Sequence, residues 1–330
     1  MIISPRSRSL GRLAAIAAGV MALAFWTGVS AQGAWPSRPV HIIVPASPGG
    51  ASDTVARLLA TRLTENFGQP FLVENRAGAG GVIGAQQVAQ AAADGYTLLM
   101  SFDSFTINGF LFKNVPDPLH DFAPVMQVCR FPQVLLVHPS LQVRTVKEFV
   151  ALAKARGAQL NFGSAGPASS SRLAFELLED VAGIDTVAVH YKGGGPAIQA
   201  LIAGQVQVML VQGSGTIQQN VKAGKLVALA VSSPTPSPLH PGLPAIADTY
   251  PGVVSQSWVG LVAPAKTPKA LVDLLNSGIA KILAEPEMKQ LFEQQGAEVV
   301  AGSPDALMRL MRDEQVKWSR LIHARKIAVD

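Results

Sequence analysis

The stretch VPASPGGASDTVARLLATRL, from Val44 to Leu63, decides the architecture of this chain. The HIIV segment that ends at Val44 is apolar and β-branched, which predicts a strand buried on both faces. The prolines and glycines between residues 45 and 50 exclude regular structure and let the backbone approach a bound group closely. Apolar residues then recur at helical spacing, which predicts a helix capped by Ser52 or Asp53.

A helix that begins behind such a loop presents free N–H groups and the positive end of its dipole, which favours an anion. No Lys or Arg lies between Val44 and Ala56. An anion bound here is therefore expected to be held by backbone amides and hydroxyl groups.

The first 31 residues have the pattern of an export signal. Three arginines precede an apolar run from Leu13 to Trp26, and the small residues at 29–31 form a cleavage site. An uncleaved anchor is the alternative, although the run is short for a membrane span. Cleavage after Ala31 leaves 24 basic and 22 acidic residues, so the net charge falls from +5 to +2. This small charge argues against a nucleic-acid partner.

The rest of the chain has the composition of a globular α/β protein. Its 299 residues are enough for one large or two medium domains. Cys129 is the only cysteine, so no intramolecular disulfide can form. The scattered histidines show no metal-ligand spacing, and neither a metal nor a cofactor is expected.

Strand patterns alternate with helix patterns along the chain, and Gly/Ser-rich loops follow several strands. The loops at 45–50, 164–171 and 192–196 each lead into a predicted helix. Ligands of α/β sheets bind at the carboxyl ends of strands. We therefore expect these loops to line one small cleft.

Other functions have weaker support in the sequence. Gly78, Gly80 and Gly84 resemble part of a dinucleotide-binding loop, but a tight turn explains them better. The segment 163–166 has Ala165 where a nucleophile elbow has its serine, so an exported hydrolase is the remote alternative. Trp258 is equally compatible with a cleft wall and with the core.

A set of motifs carries a family resemblance through almost the whole mature chain. They are WPSRPV (35–40), VPASPGGASD (44–53), VENRAGAGG (73–81), DGYTLLM (94–100), DFAPV (121–125), NFGSAG (161–166), YKGGGPA (191–197), KAGKLVALAV (222–231), SWVGLVAPAKTP (257–268) and QGAE (295–298). In their order and spacing they resemble the Bug family, the extracytoplasmic substrate-binding proteins of tripartite tricarboxylate-type transport.

The resemblance implies a non-enzymatic, periplasmic, monomeric protein with an α/β, two-lobed periplasmic binding-protein fold (type II-like), a hinge and an interlobe ligand cleft. Lobe one is expected at 32–131 plus 256–330, and lobe two at 132–255. Candidate ligand-binding residues come from the loops and strand ends: Ala46, Ser47, Gly49, Gly50, Asp53, Ser101, Asp103, Ser104, Ser164, Ala165, Ser169, Ser170, Tyr191, Gly193, Gln212 and Trp258.

The implied ligand is a small carboxylate, and the implied partners are membrane permease subunits. A ligand-dependent sensor that signals to a membrane kinase is the alternative. Many relatives carry Asp-Asn where this chain has Val211-Gln212, and a Gly/Thr/Ser-rich run where it has 101–105. Asp103 adds a negative group at this second place, which favours a monocarboxylate with an amino or hydroxy group. The alternative is that Asp103 caps the following turn and never meets the ligand.

Overall fold

The computed structural model describes residues 35–213 and 215–328, without the side chains of residues 215 and 216. Met1–Ser37 and Arg38–Asp330 are separate compact units, and the helices and strands of the described residues lie in the second. The predicted export signal, residues 1–31, lies outside the described residues. No helix in the described part of the chain combines the length and apolarity needed to cross a bilayer.

Strands and helices alternate as the sequence predicts. In chain order they are β1 (Val40–Val44), α1 (Ala51–Phe67), β2 (Phe71–Asn75), α2 (Val82–Ala89), β3 (Thr97–Phe102), α3 (Ser104–Leu111), β4 (Phe122–Val137), α4 (Val146–Arg156), β5 (Asn161–Ser164), α5 (Ser170–Ala182), β6 (Val187–His190), α6 (Gly194–Ile202), β7 (Val208–Gln212), α7 (Gly215–Lys222), β8 (Val227–Val231), β9 (Gln256–Pro264), α8 (Lys269–Leu283), α9 (Pro286–Gln294), β10 (Glu298–Val299) and α10 (Pro304–Arg325).

The strands form two sheets that share β4. The first sheet contains β2, β1, β3, β9 and the first part of β4, with β10 beside β4. The second contains the last part of β4 with β7, β8, β5 and β6. Pro132 still pairs with Gln256, whereas Gln133 pairs with Gln212. The chain therefore passes from one sheet to the other between Pro132 and Gln133.

Most predicted helix ends are confirmed. Gly68 ends α1 in the left-handed conformation with φ 71°, which glycine adopts without a steric penalty. The side chains of Thr145, Ser169 and Ser303 accept hydrogen bonds from backbone N–H groups in the first turns of α4, α5 and α10. Side-chain capping at these positions is the arrangement that the sequence pattern indicates.

Four predicted boundaries are wrong. The helix predicted from Val82 to Ala93 ends at Ala89, and the strand predicted at 205–210 lies at Val208–Gln212. α6 begins at Gly194, so Pro196 is not its first residue. The strand predicted to begin at residue 134 is the end of β4, which is 16 residues long.

Each sheet packs against its helices through an apolar core. In the second sheet Phe175 of α5 is fully buried, and its ring stacks on Phe162 with a centroid distance of 4.4 Å. Phe149 of α4 meets the same ring edge-on at 6.3 Å. Offset-stacked and edge-to-face geometries are the favourable ones for aromatic pairs. These three rings join β5 to two helices behind it, and they hold α5 in place on the sheet.

Truncating the central ring should destabilise the protein strongly. Phe175→Ala is expected to lower the free energy of unfolding by about 3–5 kcal/mol, because it opens a cavity in a close-packed core. Urea denaturation followed by far-UV circular dichroism measures this. Val316→Ala is the control, since Val316 is 55% exposed; its effect should stay within about 0.5 kcal/mol. Similar losses for both variants would contradict this account of the core.

Candidate functional site

A cleft of about 800 Å³ lies at the edge where strands of both sheets end. Its walls come from the segments after β1, β3 and β5, together with the loop before α2 and the end of α3. We call residues 45–50 loop one, 76–81 loop two and 165–169 loop three. The carboxyl ends of strands are where open α/β sheets bind ligands, so this cleft is the candidate site.

Four helices begin at or near the wall of the cleft. Ser104 and Ser170 are the first residues of α3 and α5, and α1 and α2 start directly behind loops one and two. The first N–H groups of a helix lack an acceptor within the helix and carry the positive end of its dipole. Among the described residues that line the cleft, Asp103 and Lys113 are the charged ones. The site therefore offers mainly neutral donors.

Asp53 braces loop one from below. Its carboxylate accepts hydrogen bonds from the Gly49 N–H at 2.9 Å, from Arg57 Nε at 3.0 Å and from Asn75 Nδ2 at 2.9 Å. The same Asn75 amide also donates to the Ala46 carbonyl at 3.1 Å. The prediction that Ser52 or Asp53 caps α1 is wrong: Gly50 is the N-cap residue and no side chain caps it. Asp53 instead ties the loop to β2.

The pKa of Asp53 follows from these contacts. Burial works to raise it, but the hydrogen bonds from Arg57, the Gly49 N–H and Asn75 stabilise the carboxylate. The pKa consequently lies below its ordinary value of 3.8.

Loop two lies directly against loop one. Gly78, Gly80 and Gly81 have φ values of 137°, 64° and 100°, a region that favours glycine. A Cβ on Gly84 would lie 2.8 Å from Pro45 Cβ, so α2 approaches loop one closely only because this residue is glycine. The sequence favoured a tight turn for these glycines, and this turn also forms a wall of the cleft.

Loop three is held by its own serines. The Ala165 N–H donates to Ser171 Oγ at 3.0 Å, and Ser169 Oγ donates to the Gly166 carbonyl at 2.7 Å. The Gly193 N–H reaches the Ala165 carbonyl at 3.0 Å. The candidate residues of loop three thus form a backbone shelf whose shape is set by short hydroxyl contacts.

Ser164 and His190 lie at the base of loop three, with Oγ and Nδ1 2.7 Å apart. Burial lowers the pKa of His190, the positive charge of Arg172 lowers it further, and Glu176 opposes this. These surroundings favour the neutral imidazole. Ser164 is fully buried and its hydroxyl lies against the exposed ring of His190, so this contact helps to fix the base of loop three.

Asp103 lies between the cleft and a small interior cavity of about 10 Å³. Oδ1 accepts a hydrogen bond from the Ser104 N–H at 2.8 Å and so caps α3. Oδ2 is buried, with no hydrogen bond of good geometry from the described residues. Burial raises the pKa of Asp103; the Ser257 and Ser170 hydroxyls and the Ser104 N–H oppose the rise, and Glu314 adds to it. The cleft therefore presents a carboxyl group whose ionised form is disfavoured.

The structure brings about half of the candidate ligand-binding residues to one cleft. Those on its wall are Ala46, Ser47, Asp103, Ser104, Ala165, Ser169 and Ser170. Those away from this wall are Gly49, Gly50, Asp53, Ser101, Ser164, Tyr191, Gly193, Gln212 and Trp258.

The residues away from the wall have structural contacts. Ser101 is buried and donates to the Gly260 carbonyl at 3.0 Å. Trp258 is 2% exposed and packs in the core of the first sheet. Tyr191 packs against the apolar cluster beneath α6, and Gln212 pairs with Gln133 at the end of β7.

Sequence reasoning missed several wall residues. Phe102, Leu111 and Phe112 form an apolar part of the wall, and Lys113 supplies a cation. Loop two is also part of the wall. The sequence did carry a signal for it, because a glycine-rich loop before a helix suits close backbone approach to a ligand. The sequence carried no comparable signal for the end of α3.

No cluster of three His, Cys, Asp or Glu side chains in the described residues could hold a metal ion.

Comparison with known proteins gives the site its context. The model of the tripartite tricarboxylate transporter family receptor matches residues 55–327. The chain belongs to this family. As a member of a receptor family, it is a binding protein and not an enzyme.

Relatives in this family align with this chain over most of their length. The chain is 35% identical over 292 residues to Protein BugT of Bordetella pertussis (strain Tohama I), covering 87% of this chain and 89% of BugT. The solved structure of R. palustris Rpa4515 with adipate has a TM-score of 0.79 and 33% identity, and the match covers 89% of this chain and 100% of that one. The structure of MatC from Rhodopseudomonas palustris with bound malate has a TM-score of 0.73 and 31% identity, and the match covers 87% of this chain and 100% of that one. These likenesses confirm the Bug-type assignment and the α/β solute-binding fold.

The Asp53 brace generates a pH-dependent prediction. Asp53→Asn should lower the free energy of unfolding at pH 7 by about 1.5–3 kcal/mol, because it weakens hydrogen bonds to a buried charge. Since the folded-state pKa is depressed, this contribution is present above the ordinary pKa of 3.8 and is lost as the pH falls through the lower folded-state value. Urea denaturation at several pH values should show the two proteins converging in acid.

Asp313→Asn is the matched control, because Asp313 is an exposed carboxylate on α10. Its effect should be small at every pH. A difference between wild type and Asp53→Asn that persists unchanged at the lowest pH at which both fold would contradict the brace.

Proposed function

We propose that this protein captures a small carboxylate-containing solute in the cleft and delivers it to a tripartite tricarboxylate-type membrane transporter. The observation that carries the proposal is the convergence of loop one and the starts of α2, α3 and α5 on one cleft whose lining is largely neutral. Such a site stabilises one negative charge mainly through neutral donors. The adipate and malate in the two neighbouring structures support a carboxylate as the class of solute.

A bound carboxylate would take hydrogen bonds from loops one, two and three. The Ser47 hydroxyl adds a donor on loop one, whereas the Ser104 and Ser169 hydroxyls already donate to the Gly80 and Gly166 carbonyls and hold the wall in shape. The apolar wall of Phe102, Leu111 and Phe112 suits the carbon skeleton of the solute, and Lys113 lies on the wall next to it. The volume of about 800 Å³ is within the range of small-molecule sites.

The working location that we propose is the periplasm, reached through a signal peptide cleaved after Ala31. The membrane permease subunits of such a transporter are the proposed partners. The family assignment supports both, since the matched model is that of a transporter receptor and a matched structure is that of the periplasmic binding protein BugD.

We further propose that the two sheets belong to lobes that close over the solute. Residues 32–131 with 256–330 would form lobe one, and 132–255 lobe two. The passage of β4 between the sheets at Pro132 and Gln133, opposite the start of β9 at Gln256, supports a hinge at this point. Loops one and two then belong to lobe one and loop three to lobe two, so a solute that contacts all of them would favour closure.

A thermal-shift screen tests the proposed function. A carboxylate that binds the folded state is expected to stabilise it by about 2.7 kcal/mol at a hundredfold excess over Kd. Adipate and malate belong in the panel, with adipamide as the uncharged control for adipate. Small-angle scattering with the stabilising acid should show compaction. Stabilisation by the amide as well as by the acid would contradict the carboxylate site, and turnover of the acid would contradict a binding role.

The narrower preference for an amino or hydroxy monocarboxylate depends on Asp103. Its place on the wall supports the preference, while the burial of its carboxyl group and its raised pKa weaken it. Lactate and propionate differ by one hydroxyl group and separate these effects. If ionised Asp103 accepts from the solute, Asp103→Asn should weaken lactate binding by about 1.5–3 kcal/mol and leave propionate unchanged. Isothermal titration calorimetry measures both.

The matched control for this variant is Asp313→Asn, which should alter neither affinity. Tight binding of citrate by the unmodified protein, unchanged in Asp103→Asn, would rule out the preference.

A further inference from the structure

Helix α10 connects the two halves of the molecule behind the cleft. Its 22 residues span about 33 Å at 1.5 Å per residue. At its start Leu307 and Met311 pack in the core of the first sheet. Toward its end Trp318, Leu321 and Ile322 pack with Leu173 and Leu177 of α5, in a cluster that also contains Ile107 and Ile327. One rigid rod is thus anchored at both ends on different parts of the fold.

A network of charges fixes the end of α10 to α5. Arg325 Nε donates to Glu176 Oε2 at 3.0 Å, and Nη2 donates to Glu179 Oε2 at 2.7 Å. Thr186 donates to the other oxygen of Glu179 through its N–H and its hydroxyl, at 2.8 and 2.7 Å. Burial raises the pKa of Glu179 to about 7, against the effects of the Thr186 donors and the Arg325 charge. Desolvated charges of this kind are costly, so their geometry has to be closely satisfied.

Arg172 extends this network to the cleft. Its Nη1 donates to the Pro167 carbonyl at 2.9 Å and to the Ala328 carbonyl at 3.0 Å. Its Nε lies 3.4 Å from Glu176 Oε1, and the side chain is 12% exposed. Pro167 is part of loop three and lines the cleft. A single guanidinium therefore joins a wall of the candidate site to the last described residue of the chain.

We propose that Arg172 is a positioning residue, which uses the C-terminal segment 325–328 to hold loop three in the conformation that receives the solute. We call this arrangement the C-terminal latch. The proposal rests on the proposed function only in taking loop three as part of the solute site. Gly166 in loop three has a φ of 147°, a conformation that other residues rarely adopt. A loop with such backbone freedom gains most from an external contact that restricts it.

The planar fork of arginine suits this task. Its guanidinium contacts two carbonyl groups through Nη1 and one carboxylate through Nε, and it remains charged at any pH at which the protein folds. Lysine has a point charge on a flexible stem and cannot reproduce all three contacts. The latch consequently depends on arginine and on the presence of residue 328, and both requirements can be tested separately.

Amide hydrogen exchange measured by mass spectrometry tests the latch without any solute. We expect the peptide that covers loop three to exchange about tenfold faster in Arg172→Gln than in wild type. The same increase is expected in a variant that lacks only residues 328–330. Peptides that cover β1 should not change, which distinguishes local release of the loop from global unfolding. Arg312→Gln is the matched control on the exposed face of α10 and should match wild type throughout.

Unchanged exchange of loop three in either the Arg172 variant or the shortened chain would overturn the proposal. If Arg172→Gln fails to fold, Arg172→Lys takes its place and is read in the same way. Binding of adipate and malate provides a second readout. Release of the latch should lower the association rate constant by a factor about ten times larger than the factor by which it changes the dissociation rate constant. If neither acid binds wild type, the choice of solute fails, while the exchange result still decides the latch.

Discussion

The pairing of β4 with β9 is the constraint on which the rest of the structure depends. β9 also pairs with β3, and β4 continues beyond Pro132 to pair with β7 and β8. The two strands therefore join two sheets that would otherwise be separate, and they determine which strand ends face each other. Because β1 and β3 end on one side and β5 on the other, the cleft arises where these ends meet.

The electrostatic character of the cleft follows from this geometry. Strand ends that lead directly into helices bring helix N-termini together, and their N–H groups supply positive potential in addition to that of Lys113. Such a site needs its loops held in place, because backbone donors have direction but no reach. Asp53 and Asn75 do this beneath loop one, and serine hydroxyls do it within loop three. Asp53 therefore holds the backbone donors of loop one in place and does not itself donate to a ligand.

Most of the helices and strands could be predicted because their apolar spacing and caps agree, as at Thr145 and Ser303. The first part of β4 could not, since Pro124 and Pro132 interrupt the strand pattern and the ladder shifts register nearby. For the site, the loops at strand ends correctly indicated where the cleft lies. Ser101 and Trp258 lie within strands, where side chains alternate between the two faces, so the local sequence did not show that they point away from the cleft. Wall residues at the end of α3 reach the cleft only through tertiary packing, which local sequence does not encode.

The position of α10 limits how the two sheets can move. The proposed closure, a rotation about β4 and β9, would carry α5 with the second sheet, whereas the start of α10 is buried against the first. The helix cannot shorten, so the rotation has to be taken up where Trp318, Leu321 and Ile322 meet α5. Apolar side chains tolerate small sliding, but the two arginines and two glutamates beside them hold one geometry. Sliding at this contact is therefore limited by the hydrogen bonds that Arg325 donates to Glu176 and Glu179.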